Sequence, residues 1–167
     1  MQPKSDSAIS SATSKTKTLK PEDIVVICDT REQTPYDLSP YIVVEKALKT
    51  GDYSILGYED KICVERKTLM DFIGSISGDR DRFEREIERL LSFESKMILV
   101  EGSANDIWFH KYRSKMNPKS VMGTIASFAA KGIPVMLAGD REIAQDMCKR
   151  FLFLCAKYRQ PQTCAAS

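Results

Sequence analysis

The 167-residue sequence predicts an α/β fold in which helices flank a mixed central β-sheet. Two observations indicate this class. Short apolar, β-branched runs alternate along the chain with longer segments of helical periodicity, as expected of strands interleaved with helices. The composition, with 43% hydrophobic and 29% charged residues, is typical of a chain that buries one core.

The chain divides into a tail, a folded domain and a short end segment. Residues 1–20 are rich in Ser, Thr and Lys and nearly free of large apolar side chains, so we expect a flexible tail there. Residues 21–160 carry the strand and helix patterns, and residues 161–167 are expected to form a short C-terminal tail. No run has the length of a membrane span or a signal-peptide core.

The first half of the domain is predicted to consist of strands. Residues 24–28 are a continuous apolar run of the kind that a strand buried on both faces requires. Residues 41–47 are β-branched enough for a second strand. Residues 53–56 and 62–67 are expected to pair as an antiparallel hairpin across a tight turn at residues 57–60.

The second half is predicted to interleave helices with strands. Thr68 and Asp71 form a helix-capping signature, so Asp71 has a structural explanation. Residues 79–92 show the apolar stripe of an amphipathic helix. The remaining elements are expected at residues 97–100 (strand), 117–131 (helix), 133–137 (strand) and 140–158 (helix).

Two carboxylates and a lysine are expected to meet at the predicted hairpin. Because successive residues of a strand point to opposite faces, Glu65 and Lys67 share a face, and Asp52 at the start of the hairpin should lie near Glu65. Carboxylates this close raise each other's pKa, a cost that a divalent cation removes. Oxygen ligands suit Mg²⁺ or Mn²⁺, which polarises a phosphate while the lysine positions water. The alternative is a surface hairpin with solvated charges.

A second charged group follows the first predicted strand. Asp29 and Glu32 stand at its end, where ligand groups often lie in α/β sheets. If that strand neighbours the hairpin, one of them supplies a further oxygen ligand, and Arg31 holds a phosphate. The alternative is an ordinary transition from strand to loop.

Three residue blocks therefore carry the chemistry of this sequence. In order along the chain they are Asp29-x-Arg31-Glu32, Gly51-Asp52-Tyr53 and Glu65-Arg66-Lys67-x-x-x-Asp71. Taken together, they resemble the nuclease domain of the XPF-type structure-selective endonucleases, which belong to the PD-(D/E)xK, restriction-endonuclease-like superfamily. The likeness extends through residues 72–76 and more loosely to residue 158.

This resemblance implies a restriction-endonuclease-like fold and a Mg²⁺- or Mn²⁺-dependent endodeoxyribonuclease. Such an enzyme hydrolyses phosphodiester bonds at flaps, forks or junctions in DNA repair or recombination. The residues that the resemblance implies are Asp29, Glu32, Asp52 and Glu65 as metal-binding acids, Lys67 as the catalytic lysine, and Arg31, Arg66 and Asp71 in support. Two alternatives remain: a catalytically inactive module of this fold that binds DNA or a partner nuclease, and a nuclease that acts on RNA.

DNA contact is expected where positive charge is locally concentrated, because the net charge is only +2. No acidic residue occurs between Asp106 and Asp140, and Trp108, Phe109 and Tyr112 stand there among basic residues. Such a combination tracks a nucleic-acid backbone and stacks on bases. The alternative is that these aromatic side chains pack on the core. The expected DNA contacts are Arg80, Arg82, Lys111, Arg113 and Lys115.

Cysteine and histidine usage makes other site types unfavourable. The five cysteines form no C-x-x-C pair, and His110 is the single histidine, so neither a zinc site nor a histidine-activated nucleophile is expected. Free thiols suit a reducing, intracellular compartment, cytoplasmic or nuclear. Residues 151–154 are apolar on more than one side of the last helix, which favours either full burial or a homodimer or heterodimer through that helix.

Overall fold

The computed structural model describes residues 18–78 and 80–159, and a central six-stranded sheet is built from them. The strands are β1 (Val25–Cys28), β2 (Ile42–Glu45), β3 (Tyr53–Ile55), β4 (Ile62–Thr68), β5 (Ser95–Glu101) and β6 (Val135–Leu137). The predicted tails, residues 1–17 of the first and residues 161–167, lie outside the described residues.

The sheet is mixed, as predicted, and its strand order is β2-β1-β3-β4-β5-β6. β1 pairs in parallel with β2 and antiparallel with β3, and β3 pairs antiparallel with β4. β4, β5 and β6 then continue in parallel. The predicted hairpin is therefore confirmed, with Tyr53 opposite Val64, and the first strand lies directly beside it.

Helices cover both faces of this sheet. They are α1 (Leu69–Ser77), α2 (Arg80–Leu91), α3 (Ala104–Trp108), α4 (Pro118–Ala130) and α5 (Arg141–Arg159). The short helix α3 is absent from the sequence prediction because five residues are too few to show a helical period. Its N-terminus is capped by Ser103, which forms a capping box with Asp106.

Alternation along β4 separates two hydrophobic cores. Ile62 and Val64 pack on the face covered by α5, whereas Cys63 points into the core formed with α1, α2 and α4. The residues that follow keep this alternation, so Glu65 and Lys67 project toward the α1 and α2 side and Arg66 projects toward the α5 side. The position of each charged group in β4 therefore follows from strand geometry.

Much of the apolar surface of helix α5 is buried against the domain core. Leu152 is fully buried, Phe151 and Phe153 are partly buried against the same core, and Leu154 remains exposed. This packing favours the burial alternative for residues 151–154, and a dimer through the helix stays a prediction. Among the described helices, none is long and apolar enough to cross a membrane.

Candidate active site

The turn that begins β3 fixes Asp52 between two strands. Gly51 has φ +82, and a Cβ atom there would overlap the Cys63 Sγ atom, so only glycine fits. The backbone N–H of Asp52 donates to the carbonyl oxygen of Val64 over 2.8 Å, and the carbonyl oxygen of Asp52 accepts from Asp29 N–H, also at 2.8 Å. The backbone of this turn thus requires Gly51, and it fixes the position from which the Asp52 carboxylate acts.

Asp52 and Glu65 are like charges held in a cleft of about 290 Å³. The Asp52 Oδ2 atom accepts the backbone N–H of Arg66 at 2.7 Å. Burial, and then the charge of Glu65, raise the pKa of Asp52 to about 7. Burial also raises the pKa of Glu65. A pair of carboxylates that is costly to ionise in an accessible cleft is typical of a functional site.

The ammonium group of Lys67 lies between two carboxylates. The Nζ atom is 3.0 Å from Glu65 Oε1 and 2.9 Å from Glu86 Oε1. The three side chains are only 11–18% exposed. Burial lowers the pKa of Lys67, but the charges of Glu65 and Glu86 outweigh burial and raise it overall. Lys67 is therefore held as a cation beside the acidic pair.

Three residues of this cleft were missed by the sequence analysis. They are Lys49, Glu86 and Arg89, which line the cleft together with Asp52 and Glu65. Glu86 could have been found, because it lies three residues after Phe83 and four before Leu90, on the inward stripe of α2. A charged residue in an apolar stripe needs a buried partner, and that partner is Lys67.

The carboxylate of Asp29 is occupied by hydrogen bonds, most of which come from Arg31. Its Oδ1 atom accepts Arg31 Nε at 2.7 Å, its Oδ2 atom accepts Arg31 Nη2 at 3.1 Å, and backbone N–H groups of Arg31 and Leu48 occupy it further. The hydrogen bond from the Arg31 side chain, with burial opposing it, lowers the pKa of Asp29 to about 2. Asp29 is 2% exposed, whereas the Arg31 side chain is 70% exposed at the cleft. The geometry thus makes Asp29 an anchor for Arg31.

Glu32 and Arg66 belong to a separate network on the α5 side. The Arg66 Nη1 atom donates to Glu32 Oε1 at 3.1 Å, and its Nε atom donates to Glu101 Oε1 at 2.8 Å. The guanidinium also lies 5.4 Å from the centroid of the Tyr36 ring. Arg141 Nη1 completes the network, 3.2 Å from Glu101 Oε1. Glu32 is consequently paired away from Lys67.

The four acids expected to share a metal have different partners in this structure, and their joint role as metal ligands stays a prediction. Within residues 18–78 and 80–159, no three Asp, Glu, His or Cys side chains converge as metal ligands. Asp29 instead forms an ion pair with Arg31, and Glu32 forms one with Arg66. Asp52 and Glu65 remain as an oxygen pair, which fits Mg²⁺ or Mn²⁺ because these ions use one or two protein carboxylates and complete their shells with water and phosphate.

Asp71 has the capping role that its spacing predicts. Its backbone N–H donates to the Thr68 Oγ1 atom at 3.1 Å, and the Thr68 hydroxyl donates to Asp71 Oδ2 at 2.6 Å. Asp71 also lines a pocket of about 440 Å³ that reaches from Lys67 to Arg82. The capping bonds account for Asp71 without a metal.

The predicted DNA contacts fall into two regions. Arg82 lines the pocket beside Lys67, and the side chain of Arg80 lies outside the described residues. Lys111, Arg113 and Lys115 are exposed on the segment after α3. Of the aromatic residues there, Tyr112 packs on the core as the alternative had it, whereas Trp108 and Phe109 are exposed.

Comparison with known proteins identifies the family of this fold. The model of the ERCC4 domain matches residues 10–151. The chain belongs to the ERCC4 domain family. The resemblance to the XPF-type nuclease domain, first indicated by the three residue blocks, is confirmed.

Relatives of this ERCC4 domain include proteins of Methanocaldococcus jannaschii and Aeropyrum pernix. The chain is 31% identical over 127 residues to a Methanocaldococcus jannaschii protein named as a candidate ATP-dependent RNA helicase; the match covers 74% of the chain and 15% of that protein. XPF from Aeropyrum pernix is 28% identical, with a TM-score of 0.65, over 80% of this chain and 65% of its own. For XPF from Aeropyrum pernix in complex with DNA, the identity is again 28% and the TM-score 0.65, and the match covers 84% of this chain and 68% of that one. The restriction-endonuclease-like fold is thereby confirmed.

Proposed function

We propose that this ERCC4 domain is a Mg²⁺- or Mn²⁺-dependent endodeoxyribonuclease. The observation that carries the proposal is the cleft in which Asp52 and Glu65 face each other beside Lys67. Asp52, Glu65 and Glu86 place three carboxylates near the Lys67 ammonium group, so these four side chains carry two negative charges when all are ionised. A divalent cation bound between Asp52 and Glu65 would balance those two charges, and Lys49 and Arg89 line the same cleft as further cations.

Each residue of the cleft has a distinct role in this proposal. Asp52 and Glu65 hold the cation, which when bound supplies Lewis-acid polarisation of the scissile phosphate. Lys67, kept protonated, donates hydrogen bonds that orient the attacking water and offset charge on the phosphate oxygens. Water adds to phosphorus as the bond from phosphorus to the leaving oxygen breaks. Glu86 is a positioning residue, because it retains the ammonium group when Glu65 turns to the cation.

The basic side chains at the rim supply phosphate contacts. Arg31 is held in place by its two bonds to Asp29 while its guanidinium remains exposed, and Lys49 and Arg89 line the same cleft. A guanidinium anchored in this way contacts a phosphate with little loss of rotamer freedom. Arg82 extends this basic rim along α2 in the proposal, and Arg80 stays a predicted DNA contact.

The substrate class comes from the family. We propose branched DNA, such as a flap, fork or junction, processed during repair or recombination inside the cell. The chain spans 15% of the Methanocaldococcus jannaschii relative and about two thirds of XPF from Aeropyrum pernix. The activity of those whole proteins is accordingly a proposal for this chain.

A cleavage assay tests the proposed function. Labelled flap, fork, four-way and linear DNA are incubated with the protein in Mg²⁺ or Mn²⁺, with EDTA as the control and matched RNA as a further substrate. Glu65→Gln and Lys67→Ala are expected to reduce cleavage by a factor of about 10² to 10³, because each removes a group that stabilises transition-state charge. The control is Glu88→Gln, an exposed position on helix α2, which should leave the rate unchanged. Cleavage by both site variants at the wild-type rate contradicts the assignment.

A second candidate is an inactive module that binds DNA or a partner nuclease. The closure of Asp29 by Arg31 and of Glu32 by Arg66 favours it, because two signature acids are withdrawn from the cleft. The raised pKa of Asp52 favours the enzyme instead. DNA binding without cleavage of any branched substrate in Mn²⁺ would select the module.

A further inference from the structure

An exposed aromatic pair stands outside the catalytic cleft. Trp108 is 56% exposed and Phe109 is 68% exposed, and both lie where helix α3 ends. We call these two residues the aromatic shelf. Large apolar side chains exposed at adjacent positions of the chain are typical of a binding surface. No step of the proposed reaction uses them.

The segment that follows the shelf is basic and well braced. Lys111, Arg113 and Lys115 are exposed on it, and Lys111 Nζ also lies 3.2 Å from Asp106 Oδ1. His110 adopts φ +54, its ring stacks on Tyr112 at 4.4 Å, and its Nε2 atom lies 2.8 Å from the carbonyl oxygen of Ser114. These contacts hold the backbone in one shape, so less conformational entropy is lost when the shelf binds a ligand.

Helix α1 connects this segment to the cleft. The hydroxyl of Ser114 donates to the Ser77 Oγ atom at 3.3 Å, at the last residue of α1, while Lys67 stands two residues before its first. Nine helical residues span about 13 Å, which is the length of about four nucleotides in a stacked strand. The pocket that contains Arg82 lies along the beginning of this path, next to Lys67.

We propose that the aromatic shelf stacks on unpaired bases of a single-stranded DNA arm, while Lys111, Arg113 and Lys115 contact its phosphates. This inference rests on the proposed function. Aromatic side chains stack only on bases that are not enclosed in a duplex, and exposed lysine and arginine complement a polyanion. A second copy of the chain is a poor occupant, because it would bring Arg113 and Lys115 against the same two cations of its partner.

The shelf contains its own reporter, since Trp108 is the single tryptophan of the chain. The full chain in EDTA is titrated with a labelled thymidine 12-mer and with a blunt 12-base-pair duplex, while anisotropy measures binding. Single strand is expected to quench tryptophan emission and duplex is not. Phe109→Ala should weaken binding of the 12-mer about tenfold, because one stacked base is lost, and change duplex binding less than twofold. Tyr158→Ala removes an aromatic side chain that is 70% exposed on α5 and should change neither.

Three results would overturn the inference. One is unchanged tryptophan emission at saturating single strand, and another is an equal loss of single-strand and duplex binding in Phe109→Ala. The third is a wild-type dimer that Phe109→Ala converts to a monomer in sedimentation, because the shelf would then be covered by a second copy. Cleavage in Mn²⁺ is measured in parallel. If the wild-type protein cuts DNA but single strand leaves tryptophan emission unchanged, only this inference fails. If the protein neither binds nor cuts DNA, the proposed function fails as well.

Discussion

Replacing Asp52 by Asn should stabilise the metal-free protein at pH 8. Burial and the charge of Glu65 raise the pKa of Asp52 from 3.8 to about 7. The folded state therefore keeps a proton that the unfolded chain releases near pH 4, and the stability contributed by this group falls as the pH rises between these values. Asparagine has no charge to desolvate, and its side-chain oxygen still accepts the N–H of Arg66.

The magnitude follows from the shift. About three pKa units correspond to roughly 4 kcal/mol at about 1.4 kcal/mol per unit. Because water reaches part of the cleft and Glu65 shares the titration, we expect about half of this, ~2 kcal/mol, at pH 8 and almost none at pH 4. Metal binding should reverse the ranking, since the wild-type pair gains the cation and the variant loses a ligand.

Urea denaturation in EDTA at pH 4, 6 and 8 measures the difference. The exposed change Asp60→Asn is the control and should leave the pH dependence of the free energy of unfolding as in the wild type. The reasoning is refuted if Asp52→Asn is less stable than the wild type at pH 8, or if the difference between the two proteins is the same at pH 4 and pH 8.

Three further substitutions test other contacts of the site. Glu86→Ala should lower kcat for cleavage about tenfold to a hundredfold, whereas Glu86→Gln, which keeps an oxygen next to the ammonium group, should retain more activity. Equal rates for Glu86→Ala, Glu86→Gln and Glu88→Gln would exclude a positioning role. Arg66→Ala should reduce the free energy of unfolding by about 3 kcal/mol, because Glu32 is left buried without its cation and, among the described residues, Glu101 keeps only Arg141 and the Tyr36 hydroxyl as partners. A loss below about 1 kcal/mol in urea titrations would contradict this. Gly51→Ala should lose at least about 2 kcal/mol of stability, against about 1 kcal/mol for Gly57→Ala, which has the same positive φ but open space around it; thermal denaturation of the pair checks the order.

Local geometry explains why much of the site could be predicted from the sequence. The alternation of β4 depends only on the strand itself, so it correctly assigned Glu65 and Lys67 to one face and Arg66 to the other. The hairpin also followed from a short turn between two β-prone runs, and it brought Asp52 to Glu65. Each of these inferences spans fewer than twenty residues of chain.

Pairings between distant elements could not be predicted in the same way. Glu86 reaches Lys67 only because α2 packs over β4. The sequence places Glu86 on the apolar stripe of the helix, but it does not show which charge Glu86 meets. The four-acid metal site was expected because the acids share a signature, but a signature does not say which arginine each acid meets. The structure pairs Asp29 with Arg31 and Glu32 with Arg66, and the sequence does not show these pairings.

The edge strand β2 has a consequence for handling the protein. Ile42, Val43 and Val44 are all exposed on it, and in the described part of the chain no strand pairs with its outer side. A row of free backbone donors and acceptors flanked by β-branched side chains is a template for intermolecular sheet growth. Concentrated or heated samples should therefore aggregate first along this border, and light scattering would detect such growth before the cores melt.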